Sequence, residues 1–177
     1  MSPLNDWVAR IKSIDGASVL DTGVKPWEGS PPNDHQSYAP NAKWLGTDIE
    51  AGDGVDIVAD LHCISGMVSQ RFDGIFSAST LEHVQRPWVV VKQLSAMLNE
   101  GGVLFLQTHQ TFPIHGYPSD YFRFTTEALT VLCVDAGLIV STAGYEFPTT
   151  ITPPAEITRW NVLAESFLNV SICAIKP

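Results

Sequence analysis

The stretch Val19–Ser30, VLDTGVKPWEGS, decides how this chain is read. Its first half is a short apolar run that ends in an acid and then a glycine. That is how the first strand of many open α/β sheets ends. A glycine there lets the backbone turn sharply and brings N–H groups close to an anionic or zwitterionic ligand. After Gly23 come Val24 and Lys25, and the next glycine is Gly29. No GxGxxG is present, which counts against NAD or FAD. Pro26 to Pro40 is rich in Pro, Asn, Asp, Ser and Gly and does not read as a helix. The helix expected after a first strand is therefore very short or missing. Its terminus then adds less to anion binding.

On the N-terminal side, Leu4, Trp7, Val8 and Ile11 recur at helical spacing behind Ser2 and Pro3. On the C-terminal side, strands are predicted at 17–21, 43–48, 55–61, 72–79, 102–109, 138–147 and 167–175. A helix is predicted from Pro87 to Leu98, with Trp88, Val91, Leu94 and Leu98 on one face and Gly101-Gly102 ending the connection. A second lies around Leu129, Leu132, Cys133 and Ala136, capped by Thr125 or Thr126 and stopped by Gly137. Several strands are apolar on both faces, as in a covered parallel sheet. Strands and helices alternate, so the class is α/β with a doubly wound sheet. Ligands then sit beyond the carboxyl ends of the strands, which places Asp21, Asp48, Asp60 and Ser77–His83 on one rim. The Pro-rich segment Pro148–Ser166 is expected to form a lid or an interface.

At 177 residues the chain is read as one domain, 1–177. With 19 acids against 10 Lys plus Arg, its charge of -9 opposes a general role on DNA or RNA, where phosphate neutralisation supplies most of the affinity. The expected partner is a small molecule. No run is long enough to span a bilayer, and MSPLNDWVARIK has no signal-peptide pattern. Cys63, Cys133 and Cys173 are odd in number, form no CxxC pair and read as buried free thiols. The expected location is the cytoplasm.

Three strands ending in Asp have a shared physical use. A carboxylate after the second strand can accept both hydroxyls of a ribose, and one after the third can accept from an adenine amine. The pieces VLDTG, WLGTDIEAGDGVDIVADL, FDGIFSASTLEHVQRPW, LNEGGVLFLQTH and HGYPSDYFRFTTEAL cover most of residues 17–137. In that order they resemble the class I S-adenosylmethionine-dependent methyltransferases, in the group whose small members share an LEHV segment after the fourth strand (methyltransferase type 11-like). The resemblance implies a Rossmann-like, seven-stranded, mostly parallel sheet with the last strand antiparallel. It also implies an S-adenosylmethionine site. Asp21 and Gly23 then belong to the first motif. Asp48 holds the ribose, Ile49 packs on the adenine, Asp60 and Leu61 meet its edge, and Ser77, Ala78 and Ser79 pass close to the methionine part. The family's D-x-G-x-G-x-G departs here at Val24 and Lys25. Lys25 is assigned to the cofactor carboxylate, and Trp27 to packing over the ligand.

An oxygen acceptor benefits from a base, and His suits that role near neutral pH. The candidates are His83, His109 and His115, with Asp120 orienting His115 as a dyad. The spacing of His109, His115 and Asp120 matches no short metal motif, so no metal is expected. The leading reading is methyl transfer to the oxygen or nitrogen of a small molecule, with a homodimer or the 148–166 segment supplying pocket walls. The competing reading is a non-catalytic cofactor-binding or interaction protein that kept the fold.

Overall fold

The central strands sort their side chains by the two-residue period of a pleated sheet. The computed structural model describes residues 1–26, 33–116, 118–152, 154, 156 and 166–177. In β1 (Ser18–Thr22) Val19 and Leu20 point to opposite faces, as do Ile75 and Phe76 in β4 (Phe72–Ala78) and Leu104 and Phe105 in β5 (Leu98–His109). One set joins Trp7 and Ile11 of α1 (Pro3–Lys12). The other packs with Val91 and Leu94 of α3 (Pro87–Met97) and Leu129 and Cys133 of α4 (Thr126–Asp135). A sheet covered on both faces must be apolar on both faces.

Seven strands form one sheet in the order β3-β2-β1-β4-β5-β7-β6. β2 (Lys43–Asp48) and β3 (Ile57–Val58) lie on one side, β6 (Ile139–Thr149) and β7 (Ser166–Ile175) on the other. The pairs among β1, β2, β3, β4 and β5 are parallel, and β7 runs antiparallel to both β5 and β6. The sheet is thus the expected doubly wound, Rossmann-like one, and the carboxyl ends of β1, β2, β4 and β5 share a rim.

Local signals act as read at several points. Ser2 caps α1 by accepting from the Asn5 N–H, and Thr125 caps α4 through the Ala128 N–H. Gly137 ends α4 at φ +79°. Between β1 and β2 the described residues contain only a single 3-10 turn, His35–Tyr38, and no α-helix.

Several expectations are corrected. The strand predicted at 55–61 shrinks to two residues at the sheet edge, where Val58 faces solvent and Asp56 accepts from the Gly46 N–H. The strand predicted from Gly102 begins at Leu98 and passes through Gly101-Gly102, its pairing with β4 shifting register there. Trp88 is half exposed, because α3 buries the arc of Val90, Val91, Leu94 and Met97 instead. Cys63 is exposed, while Cys133 and Cys173 are buried. A four-residue helix, α2 (Ile64–Met67), had no sequence signal. Trp27, Gly29 and most of the predicted lid lie outside the described residues.

Gly46 shows how tightly the β2 end is packed: an added Cβ would stand 2.0 Å from the Gly54 carbonyl oxygen and 2.9 Å from Val24. Backbone cannot yield as a flexible side chain does. Gly46→Ala is expected to lower the unfolding free energy by about 1–3 kcal/mol in urea melts. Gly66→Ala, whose Cβ meets nothing within 4 Å, is expected to cost nothing.

Candidate active site

The rim has two halves. In the β1–β2 half, Asp21 is buried and its Oδ2 lies 2.9 Å from His35 Nδ1. Its Oδ1 and the neighbouring Thr22 Oγ1 are buried and meet no hydrogen-bond partner among the described residues. Burial pushes the Asp21 carboxyl up, and His35 offsets this only in part. Gly23 takes φ +70°, and a Cβ there would collide with Thr80 Oγ1 at 2.3 Å. Only glycine makes this turn at low cost. Ser79, at the end of β4, also carries a positive φ of 50°, an uncommon conformation for a non-glycine residue. Ser77 is buried beside it.

Asp48 accepts from the backbone N–H groups of Lys25 and Glu50, at 3.1 and 3.2 Å. An ionised carboxylate has about four acceptor sites, so capacity for hydroxyl groups remains. The Lys25 ammonium is paired with Glu50 and does not stand free for a ligand carboxylate. Ile49 is exposed and Leu61 buried. Asp60 turns its Oδ1 to the N–H and ring of His62, at 2.8 and 2.7 Å. A cavity of about 140 Å³ lies under this half, lined by Asp21, Val24, Gln36, Trp44 and Gly46 among others. Asp48 and Asp60 lie outside its lining.

In the β4–β5 half, the turn Leu81–His83 follows β4 and buries Glu82 completely. Thr108 donates to Glu82 Oε2 at 2.7 Å, and His109 Nε2 stands 3.1 Å from Oε1. That second contact is an attraction of charge, because Oε1 receives no well-directed hydrogen bond among the described residues. Burial opposes the Glu82 charge, but His109 and Thr108 outweigh it and lower the pKa. Burial likewise opposes the His109 cation, but Glu82 and then Asn169 outweigh it and raise that pKa.

His115 Nδ1 lies 3.2 Å from the Pro113 carbonyl and 3.4 Å from Asp120 Oδ2. The expected His115–Asp120 dyad is therefore in contact but loose. Asp120 is spent mainly on Arg123, which holds its carboxyl well below the usual range. Arg123 also donates to the carbonyls of Phe112 and Pro113, so it clamps the loop that carries His115. His83, His109 and His115 form one aromatic cluster, with the His115 ring 4.9 Å from His83 and 5.2 Å from His109. The sequence reading placed Glu82 on the rim within Ser77–His83 but gave it no chemical role of its own. Its signal was an acid directly after an apolar strand and turn, a position that folding buries.

Residues 39–106 match the model of a methyltransferase domain. A comparison with curated proteins finds no match. Among solved structures, the fold is similar to a SAM-dependent methyltransferase from Archaeoglobus fulgidus, at 13% identity and TM-score 0.64, covering 98% of this chain and 91% of that one. It is similar to an S-adenosylmethionine-dependent methyltransferase from Mesorhizobium loti, at 15% identity and TM-score 0.65, covering 98% and 95%. It is also similar to the 1,6-didemethyltoxoflavin-N1-methyltransferase of Burkholderia thailandensis, solved with 1,6-didemethyltoxoflavin and S-adenosylhomocysteine, at 15% identity and TM-score 0.65, covering 98% and 77%. At these identities the likeness is one of fold. Strand order is that of the class I S-adenosylmethionine-dependent methyltransferase fold, and the matched segment is similar to a methyltransferase domain; S-adenosylmethionine is the cofactor of that class. The rim's chemistry fits it: among the described residues Asp21 Oδ1 is a buried acceptor without a donor, Gly23 turns the backbone at positive φ, and Asp48 has acceptor sites to spare.

The Glu82–His109 pair has a pH signature. The raised His109 pKa stabilises the fold below its ordinary value of 6.5, and that contribution is lost as pH climbs through the folded pKa. The lowered Glu82 pKa stabilises above 4.5 and is lost as pH falls through its folded pKa. In metal-free buffer, His109→Asn is therefore expected to destabilise more at about pH 6 than at about pH 9, read from urea midpoints. Equal destabilisation at both values would remove the pair.

Proposed function

We propose that the protein transfers a methyl group from S-adenosylmethionine to the oxygen or nitrogen of a small molecule. The observation that carries this reading is Asp21 Oδ1, a buried acceptor without a donor among the described residues, beside the positive-φ turn at Gly23 and on the same strand rim as Asp48. When bound, the cofactor supplies a methyl group on a sulfonium, already activated for in-line displacement. Asp21 and Thr22 offer acceptors to its amino group, and Asp48 offers acceptors to its ribose. Ile49, exposed at the end of β2, offers an apolar surface to the adenine, with Asp60 and Leu61 at its edge. Ser77 and Ser79 border the methionine part. Lys25 contributes by holding Glu50 and by giving its N–H to Asp48.

His115 and His109 are the proton-accepting candidates for the acceptor, and Asp120 positions His115 through the Arg123 clamp. His115, with a third of its side chain exposed, stands at the edge of bulk water, where a proton can leave, whereas His109 is buried. The net charge of -9 supports a small acceptor over a nucleic acid. Among the described residues no helix is long and apolar enough to cross a membrane.

A second reading has a specific observation behind it. No α-helix follows β1 among the described residues, and His35 already occupies Asp21 Oδ2. A cofactor-binding or interaction protein without turnover would share these features.

Titration calorimetry with S-adenosylmethionine and S-adenosylhomocysteine separates the two from a lost site. Binding on the order of micromolar Kd is expected, weakened about 10- to 100-fold in Asp48→Ala. Absence of binding to either ligand by folded protein would overturn the methyltransferase reading. Once an acceptor is found, His115→Ala is expected to lower kcat by about 10²-fold or more. An unchanged rate and pH profile would leave positioning alone as the catalytic device.

A further inference from the structure

We infer that Glu82, His109 and His115 form a binding site for a divalent first-row transition ion, of the kind that zinc, cobalt or manganese represent. One carboxylate oxygen and one nitrogen from each ring all lie within 4.8 Å of one another. In a tetrahedral site with bonds of about 2.0–2.1 Å, ligand atoms stand about 3.3 Å apart. The Glu82 Oε1 to His109 Nε2 separation of 3.1 Å already matches that spacing. His115 has only to close in, and it sits on a loop with a third of its side chain exposed.

The second observation concerns protons. His109 Nδ1 faces Asn169 Oδ1 at 3.0 Å, His115 Nδ1 faces the Pro113 carbonyl at 3.2 Å, and His83 Nδ1 faces the Ser119 carbonyl at 2.7 Å. These oxygens accept, so a ring whose Nδ1 donates to one of them has Nε2 left for a ligand, and at His109 an ion would take the place of the proton that now meets Glu82. Ring nitrogens held in this way by an outer acceptor are the usual support of a metal-bound histidine. Glu82 Oε1, 3.1 Å from His109 Nε2, is buried and without a directed donor among the described residues. A buried carboxylate oxygen with no directed donor has acceptor capacity that an ion can use. His83 Nε2 stands 3.9 Å from Oε1, at the margin of the same cluster.

Two imidazoles and one carboxylate suit borderline ions better than magnesium, and three protein ligands leave a coordination position for water or an acceptor hydroxyl. His115 is the member of the three that solvent reaches most readily. With an ion bound, His109 and His115 polarise an acceptor oxygen through it and do not take a proton themselves. The ion site rests on these side chains and not on methyl transfer, so either reading can fail alone.

The test uses whole protein, stripped with a chelator, dialysed and titrated with Co²⁺ while visible absorption is followed. One ion per chain, with visible bands of a nitrogen- and oxygen-ligated centre, is the expected result. His115→Ala and Glu82→Gln should each weaken uptake at least about tenfold, and His62→Ala, whose ring meets Asp60 and the Arg86 N–H, should not. If Glu82→Gln fails to fold, His115→Ala alone decides, since its loop is partly exposed. No saturable uptake by the parent protein, or uptake untouched by His115→Ala, would overturn the site and leave a plain Glu82–His109 ion pair.

Discussion

The central strands of this protein are buried on both faces, and everything polar about it follows from that. Val19, Leu20, Ile75, Phe76, Leu104 and Phe105 fill two cores with no room for a charge. A group that must meet water or a ligand can stand only where a strand ends. Because β1, β2, β4 and β5 run parallel, their carboxyl ends gather at one rim. Asp21, Asp48, Ser77, Glu82 and His109 come together there for that reason.

The rim divides its work. The β1–β2 half is built from carboxylates with acceptor capacity left over. Among the described residues its loop is held by side chains rather than by an α-helix: His35 rests on Asp21 and lies tilted against Phe76, with ring centroids 4.6 Å apart. The β4–β5 half is built around one fully buried carboxylate. Removing one partner of such a buried pair costs roughly 3–5 kcal/mol, far more than an exposed pair contributes. Glu82 is therefore a structural commitment as well as a chemical one: Tyr121 N–H donates to its backbone carbonyl, and Thr108 to its side chain.

The 112–124 loop is what joins chemistry to scaffold. Arg123 grips Asp120 and two carbonyls of the loop, Phe124 N–H donates to the His109 carbonyl, and the Ser119 carbonyl accepts from His83. Backbone partners therefore fix both ends of the loop to the strand rim. His115 is held near His109 by this clamp rather than by a secondary-structure element of its own.

The class of the fold and the position of the rim were legible in the sequence, because both depend on periodicity. Apolar runs of strand length ending in Asp21 and Asp48 mark strand ends, and the helical spacing of Trp7 and Ile11 or of Leu129 and Cys133 marks the covering layers. Ser2, Thr125 and Gly137 act within one turn of themselves, so their roles are local and readable. The extent of β3 was not, since an edge strand is limited by neighbours that its own residues do not specify. Nor was the partner of His109. Local sequence places Glu82 next to His83, but only the parallel pairing of β4 with β5 brings the Glu82 carboxylate to His109, and only the Arg123 clamp carries His115 across to both. The sequence by itself determined which residues could do chemistry and which end of the sheet would hold them. The tertiary structure decided which of them meet, because a contact between residues 27 or more positions apart is set by how strands pair and loops are tied, not by anything written beside either residue.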